Sequence, residues 1–253
     1  MKVAAIYDIH ANLPALEAVL RDVRKAGVDR VVCGGDVVPG PMPRETIARL
    51  LELDLPVDFI QGNGDREVLA QLEGAETDWY RSAAQQWREP VRWTAQQLQL
   101  EHKQLLSGWA KTKTLSLTID GLGEVLFCHA TPRSDTEVFT RLTAEYRLRP
   151  VFAGLSASVV ICGHTHMQFD RMVGGIRVVN TGSVGMPFGE PGAYWLSLGP
   201  TVQLRCTTYD LAQAARRIRD TEYPQAEDFA THNVVQPPLE KQTLDVFARV
   251  ELK

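Results

Sequence analysis

Five short apolar runs in this chain each end in residues that can bind a metal ion. VAAIY runs into Asp8-Ile9-His10, VVC into Gly34-Gly35-Asp36, and VDFIQ into Gly62-Asn63-Gly64-Asp65. VLFC runs into His129, and VVIC into Gly163-His164-Thr165-His166. Open α/β sheets place their ligands outside the carboxyl ends of the strands, so this pattern constrains the chain to a fold that gathers those ends at one edge. Of the six histidines, only His102 and His232 fall elsewhere. Taken singly, a His after a strand is more often a hydrogen-bonded structural residue, and an Asp after Gly-Gly a turn or cap. Asn63 between two glycines reads as a turn residue at positive φ. Two Asp, one Asn and four His together at one edge read as a metal site. Asp8 and His10 are two residues apart, as are His164 and His166, so in extended chain each pair projects to one side.

The pattern between these runs is strand–helix–strand. Lys2 to Tyr7, Arg30 to Cys33 and Val57 to Gln61 read as strands. Asn12 to Ala26 carries Leu13, Leu16, Val19, Leu20 and Val23 at helical spacing, with Asn12 as cap, Pro14 in the first turn and Gly27 as stop. Pro43 to Leu53 reads as a second helix, and the repetition predicts a parallel α/β sheet. Residues 65–112 break the rhythm; rich in Gln, Ala, Leu and Trp, with Pro90 as an internal breaker, they read as two or three inserted helices. Strands follow at Thr114 to Ile119, Glu124 to Cys128 and Ser158 to Cys162. Phe169 to Val173 and Ile176 to Asn180 form a hairpin through Gly174-Gly175. Ala193 to Leu198 and Val202 to Thr207 come next, then a helix from Leu211 to Asp220. Residues 221–253, with Pro224, Pro237 and Pro238, read as a surface-hugging tail.

Composition narrows the function classes. Lys+Arg 27 against Asp+Glu 31 gives a net charge of −4, without the footprint of a general nucleic-acid binder. The longest apolar stretch, Val151 to Gly163, is too short to span a bilayer. The first residues show no signal-peptide pattern, and the four cysteines form no CxxC pair, so a reduced cytoplasmic setting is expected. Cys33, Cys128 and Cys162 read as buried packing, with Cys128 pointing opposite His129 by strand alternation.

The order D-x-H, G-G-D, G-N-x-D, a lone His, then G-H-x-H resembles the calcineurin-like metallophosphoesterases over about residues 2–199, and among them the small bacterial and archaeal phosphodiesterases. The resemblance implies a single domain over 1–253 with an α/β, four-layer α/β/β/α sandwich of two mixed sheets and a dinuclear metal site at the strand ends. It implies that Asp8, His10 and His166 hold a first metal, that Asn63, His129 and His164 hold a second, and that Asp36 bridges them. Asp36, Asn63 and His129 would serve catalysis, with a hydroxide between the metals as nucleophile. Mixed N and O ligands suit two divalent ions of Mn, Fe, Zn, Co or Ni, with Mn implied by the resemblance.

Many members carry His after the Asn; here it is Gly64, which disfavours unactivated monoesters and leaves room for a diester's second substituent. The expectation is therefore a phosphodiesterase acting on a small, nucleotide-like phosphate ester. The alternatives are a phosphatase of nucleotides, diadenosine polyphosphates or phosphoproteins, and a non-catalytic interaction scaffold of the same fold. Asp65 would orient the Asn loop. Arg133 and Asn12 can each reach phosphate, or else serve as a surface ion pair and a helix cap. The Trp-rich insertion, with Trp79, Trp87 and Trp93, is either core and interface or a lid over the metal edge; a homo-oligomer is open.

Overall fold

Strand and helix alternate in the computed structural model, which describes residues 1–109, 111, 113–250 and 252. The chain begins β1 (Val3–Ile6), α1 (Leu13–Ala26), β2 (Arg30–Cys33), α2 (Pro43–Leu51), β3 (Val57–Phe59). Four helices follow: α3 (Asn63–Leu72), α4 (Asp78–Ser82), α5 (Gln85–Gln97) and α6 (Leu100–Trp109). Then come β4 (Thr114–Ile119), β5 (Gly123–Cys128), α7 (Glu145–Phe152), β6 (Val159–Cys162), β7 (Phe169–Val173) and β8 (Ile176–Asn180). β9 (Ala193–Leu198), β10 (Val202–Thr207), α8 (Leu211–Arg219), α9 (Ala226–Phe229), a π-helical turn over Ala230–Val235 and α10 (Glu240–Phe247) complete it. The punctuation of α1 works as its residues dictate. Asn12 Oδ1 accepts from Ala15 N at 3.3 Å, and Gly27, at φ +61°, donates its N–H to Arg24 O.

The strands form two five-stranded sheets, β10-β9-β1-β2-β3 and β4-β5-β6-β8-β7. In each, a parallel trio (β1-β2-β3 or β5-β6-β8) is flanked by antiparallel strands, so both sheets are mixed. Period-two alternation sorts the side chains into layers. Val3, Ala5, Tyr7, Val32 and Leu196 face Val125, Phe127, Val159, Ile161 and Val179 between the sheets. The opposite face of the first sheet (Ala4, Ile6, Val31, Cys33) packs with Leu16, Val19 and Leu20 of α1. The opposite face of the second (Leu126, Cys128, Val160, Cys162, Val178) packs with Leu148, Val151 and Phe152 of α7. The result is the four-layer α/β/β/α sandwich. Cys128 points away from the neighbouring His129, as alternation requires.

The segment at 65–112 contains more helix than its composition suggested, and its first helix starts at Asn63 itself. Pro90 does not break α5. A proline lacks the N–H that would bond the carbonyl four residues back, and that carbonyl, Gln86 O, instead accepts from Gln225 Nε2 at 2.6 Å. Val68, Leu69, Tyr80, Val91, Leu98, Leu106 and Trp109 join the same cluster as α1, so these helices thicken the outer layer. Its expected end at residue 112 lies outside the described residues.

The C-terminal segment departs from a surface-hugging tail. Phe229, Ala230 and Val234 bury against Ala214, Ala215, Ile218 and Tyr223 in a small core of their own; its expected end at 253 lies outside the described residues. The flanking prolines hide this pattern in the sequence. They also flank helices too short to show a period, and the eight-residue α7, with Pro150 inside it, was missed by sequence reasoning for the same want of a period. Among the described residues no helix is long and apolar enough to cross a membrane.

Candidate metal centre

The loops after β1, β2, β3, β5 and β6 meet at one edge, held by backbone bonds and, for the loop after β3, by the side chains of Asp36 and Asp65. Asp8 N donates to Gly35 O (3.0 Å), His10 N to Asp36 O (2.9 Å), Gly163 N to His129 O (2.8 Å) and Gly185 N to Asp8 O (3.0 Å). The chain does not stay extended there. Asp8, His10, Asp36, His164 and His166 all adopt left-handed φ, between 47° and 67°. Such conformations are uncommon for non-glycine residues and persist where surrounding structure enforces them, typically at functional sites. Left-handed turns, not extended-chain alternation, therefore aim Asp8 with His10 and His164 with His166.

Two groups of ligand atoms result, each within 4.8 Å: Asp8, His10 and His166, then Asp36, His129 and His164. Asp36 Oδ2 stands 3.8 Å from His10 Nε2 in the first group and 3.7 Å from His129 Nε2 in the second. Its other oxygen accepts from Gly64 N at 2.7 Å. His129 Nδ1 bonds Gly34 O at 2.9 Å and His166 Nδ1 bonds Met186 O at 2.7 Å. A carbonyl on Nδ1 places the proton there and leaves the Nε2 lone pair free for a metal. His10 Nε2 and His166 Nε2 converge to 3.2 Å. Asp8 Oδ2 accepts from His164 N at 2.8 Å, while buried Asp8 Oδ1, 3.4 Å from His166 Nε2, has no well-formed hydrogen bond among the described residues. Asn63 Oδ1 lies 3.1 Å from His129 Nε2. With the amide turned over, its nitrogen would donate to His164 Nδ1 at 2.9 Å and Asp135 O at 3.1 Å. With oxygen inward three acceptors meet, an arrangement that a cation between them relieves. All seven sequence-singled residues are thus brought together, and their donor set fits two divalent ions.

Charge tension in the site points the same way. Burial pushes Asp36 up to about 6, with His129 partly opposing and Asp8 adding to the rise. Burial also disfavours the Asp8 carboxylate, yet His166, His129 and His10 outweigh it and hold Asp8 well below the usual range. Burial lowers His10 and His164 to about 3, reinforced by His166 and His129 respectively. Burial also works against protonation of His129 and His166, but Asp36 (for His129) and Asp8 (for His166) outweigh it and raise both. Bound divalent cations would replace protons as the counter-charge to the buried carboxylates.

Several expectations need correction. Asn63 does not sit at positive φ; it is the first residue of α3, with Gly62 as cap. Gly64 does not open a space either. A Cβ there would stand 2.8 Å from Val38 O and Pro39 Cδ and 3.0 Å from Asp36 Oδ1. Asp65 fastens this packing, accepting from Val38 N and Gly62 N at 3.0 Å each. Arg133 lines the cleft beside His129, as a phosphate-ester contact would require, and is at the same time exposed and paired with Glu137 through Nε (2.9 Å) and Nη2 (2.5 Å). None of Trp79, Trp87 and Trp93 lines the cleft beside His129. Trp93 meets Tyr223 edge-on at 5.3 Å, and Trp79 and Trp87 are 43% and 59% exposed.

Asn12 is fully buried, caps α1 and donates Nδ2 to Gly185 O at 2.9 Å. Asn12→Ala is expected to lower stability by about 1–2 kcal/mol, read by denaturant unfolding, with the KM for phosphate esters unaltered. A raised KM at full stability would return Asn12 to the substrate.

Sequence reasoning missed two neighbours of the site. Phe188 stacks on His166 (5.3 Å, 20°), and Phe247 of α10 meets Phe188 edge-on at 6.1 Å, so the C-terminal helix reaches the metal edge. Arg66 lines the cleft beside His129 and bonds Asp135 Oδ2 at 2.7 Å. Its position three residues after Asn63, on one helical face, was the available signal.

A two-sheet sandwich with carboxylates and imidazoles clustered at its strand ends defines an α/β/β/α fold with a candidate metal-binding centre. Residues 1–198 match the calcineurin-like phosphoesterase superfamily domain, and the chain belongs to that family. It is 29% identical over 204 residues to an uncharacterised protein of Methanocaldococcus jannaschii, covering 80% of this chain and 77% of that one. The structure of a metallophosphoesterase from Sphaerobacter thermophilus superposes with TM-score 0.70 at 28% identity, over 91% of this chain and 97% of the other. A hypothetical protein of Pyrococcus horikoshii shares the fold, with TM-score 0.78 at 20% identity over 94% and 99% of the two chains.

Proposed function

We propose that the protein is a dinuclear-metal phosphodiesterase acting on a small phosphate ester. The observation that carries this reading is Asp36 Oδ2, placed 3.8 Å and 3.7 Å from an imidazole of each ligand group. Asp8, His10 and His166 would hold one ion, Asn63, His129 and His164 the other, with Asp36 shared. Two ions so held supply Lewis-acid stabilisation of phosphoryl oxygens and activation of water at neutral pH. The protein's own part is to fix the donors: Gly34 O and Met186 O set two imidazole tautomers, and Asp65 ties the Asn63 helix to the Asp36 loop. No thiolate competes, since Cys33, Cys128 and Cys162 pack away from the site, and manganese is the proposed metal. A cytoplasmic setting is proposed with it, supported by four unpaired cysteines.

The diester preference rests on position 64. A positioned general acid is typically worth about 10²–10⁴ in rate, and Gly64 offers none. Esters whose departing oxygen is stable as an anion escape that loss, and a diester carries one less negative charge to approach the buried carboxylates. With manganese supplied, kcat/KM for an activated aryl diester is expected to exceed that for unactivated alkyl monoesters. The opposite order would favour a phosphatase of nucleotides or phosphoproteins. Elemental analysis finding fewer than two ions per chain at saturation would remove the dinuclear reading.

A further inference from the structure

We infer that the cleft beside His129 receives one substituent of the ester, and that this substituent is a small neutral polyol of glycerol to pentose size. The inference rests on the phosphodiesterase reading and deepens it. The cleft holds about 210 Å³, below the roughly 300–1,000 Å³ of pockets that take drug-sized ligands. It opens beside the second ligand group: His129 lines it, and so does Asp135, whose carbonyl lies 3.1 Å from the Asn63 amide. A group bonded to a phosphate at the metal centre would therefore extend into it.

Its walls select among substituents. Among the described residues they carry no aromatic ring apart from His129, and Pro132 is the sole apolar side chain, so an acyl chain finds little to bury against and a nucleobase no aromatic platform beyond the imidazole. Its arginines are already matched. Arg66 bonds Asp135 at 2.7 Å and Glu67 at 2.6 Å, and Arg133 bonds Glu137 at 2.9 Å. Lys113 at the mouth adds one exposed ammonium. Paired charges leave little net field for a second phosphate. What remains is a dense mixture of donors and acceptors: the Asp135 carboxylate, the Ser134 hydroxyl, the arginine forks and the Gln61 amide. Gln61 Nε2 is buried without a hydrogen-bond partner among the described residues. Hydroxyl groups, each both donor and acceptor, match such a surface. The wall is also preordered, since Thr131 Oγ1 donates to Glu137 at 2.7 Å and accepts from Ser134 N at 3.1 Å.

Calorimetric titration of the manganese-loaded full chain with sn-glycerol 3-phosphate, propyl phosphate and propane-1,3-diyl bisphosphate tests this. Glycerol 3-phosphate is expected to bind about tenfold tighter than propyl phosphate, the effect of one or two added hydrogen bonds. Arg66→Met and Ser134→Ala are each expected to bring that ratio toward one. Ser134→Ala is the milder change, and serves if Arg66→Met fails to fold. Equal affinity for the first two probes in wild type would overturn the inference, and tightest binding of the bisphosphate would replace the polyol with a second anion. Absence of diester hydrolysis would fail the function reading alone, because the affinity ratio still decides what the cleft accepts.

Discussion

Asp36→Ala is expected to empty the metal centre and abolish phosphoester hydrolysis. Asp36 Oδ2 lies nearly midway between an imidazole of each ligand group, 3.8 Å from His10 and 3.7 Å from His129, whereas Asp8 Oδ1 leans to the first group, 3.4 Å from His166 against 4.0 Å from His129. Without Asp36, two divalent ions would face each other with no shared carboxylate to offset their repulsion. Removing one stabilising group from an active site typically costs about 10²–10³ in rate, and loss of a shared ligand should exceed that. The same substitution frees Gly64 N, which donates to Asp36 Oδ1 at 2.7 Å. Asp36→Asn separates the two effects, because an amide oxygen can keep the Gly64 contact while the charge is lost. Metal content per chain and thermal unfolding should be measured with the kinetics. Full metal content or full activity in Asp36→Ala would remove the shared-ligand role.

Gly64→His is expected to damage the protein instead of converting it to a monoesterase. The substitution restores the residue that many family members carry, but this backbone has closed over the position. A Cβ there meets Val38 O and Pro39 Cδ at 2.8 Å and Asp36 Oδ1 at 3.0 Å. Two of these atoms belong to backbone or a rigid ring, so the loop from Asp36 to Pro39 must shift. Overpacking of this kind typically costs about 1–3 kcal/mol, and the displacement falls directly on Asp36. Denaturant unfolding should show the loss, with lower metal affinity and lower activity on diesters and monoesters alike. Gly64→Ala imposes the same clash without an imidazole and should behave similarly. A His variant of wild-type stability with monoester kcat/KM raised about 10²-fold would show that the loop yields.

The order of strands and helices was legible from apolar runs and helical spacing, and the two-sheet sandwich was implied by the motif resemblance. Alternation wrote each strand's two faces into the sequence. Cys128 and His129, adjacent in sequence, fall on opposite sides of the second sheet for that reason alone. The punctuation of α1 by Asn12, Pro14 and Gly27 was local chemistry as well. Pro90 misled because the carbonyl it leaves unpaired, Gln86 O, finds Gln225, a partner 139 residues away along the chain. The C-terminal helices misled because their buried face meets α8 only after folding, and no period survives in pieces this short.

For the site, the sequence by itself determined which seven residues gather, because each follows a strand and parallel strands end at one edge. Tertiary structure decided how they gather. The left-handed turns at Asp8, His10, Asp36, His164 and His166 are enforced by hydrogen bonds between loops far apart in sequence. Asp and His tolerate left-handed φ better than most residues, but that local preference is too weak to specify the turns. The same holds for the closed space above Gly64 and for the Arg66–Asp135 wall, each made by segments that meet only in the fold. Residue types and spacing carry information along the chain, whereas orientation and steric room arise between elements and need the packed molecule.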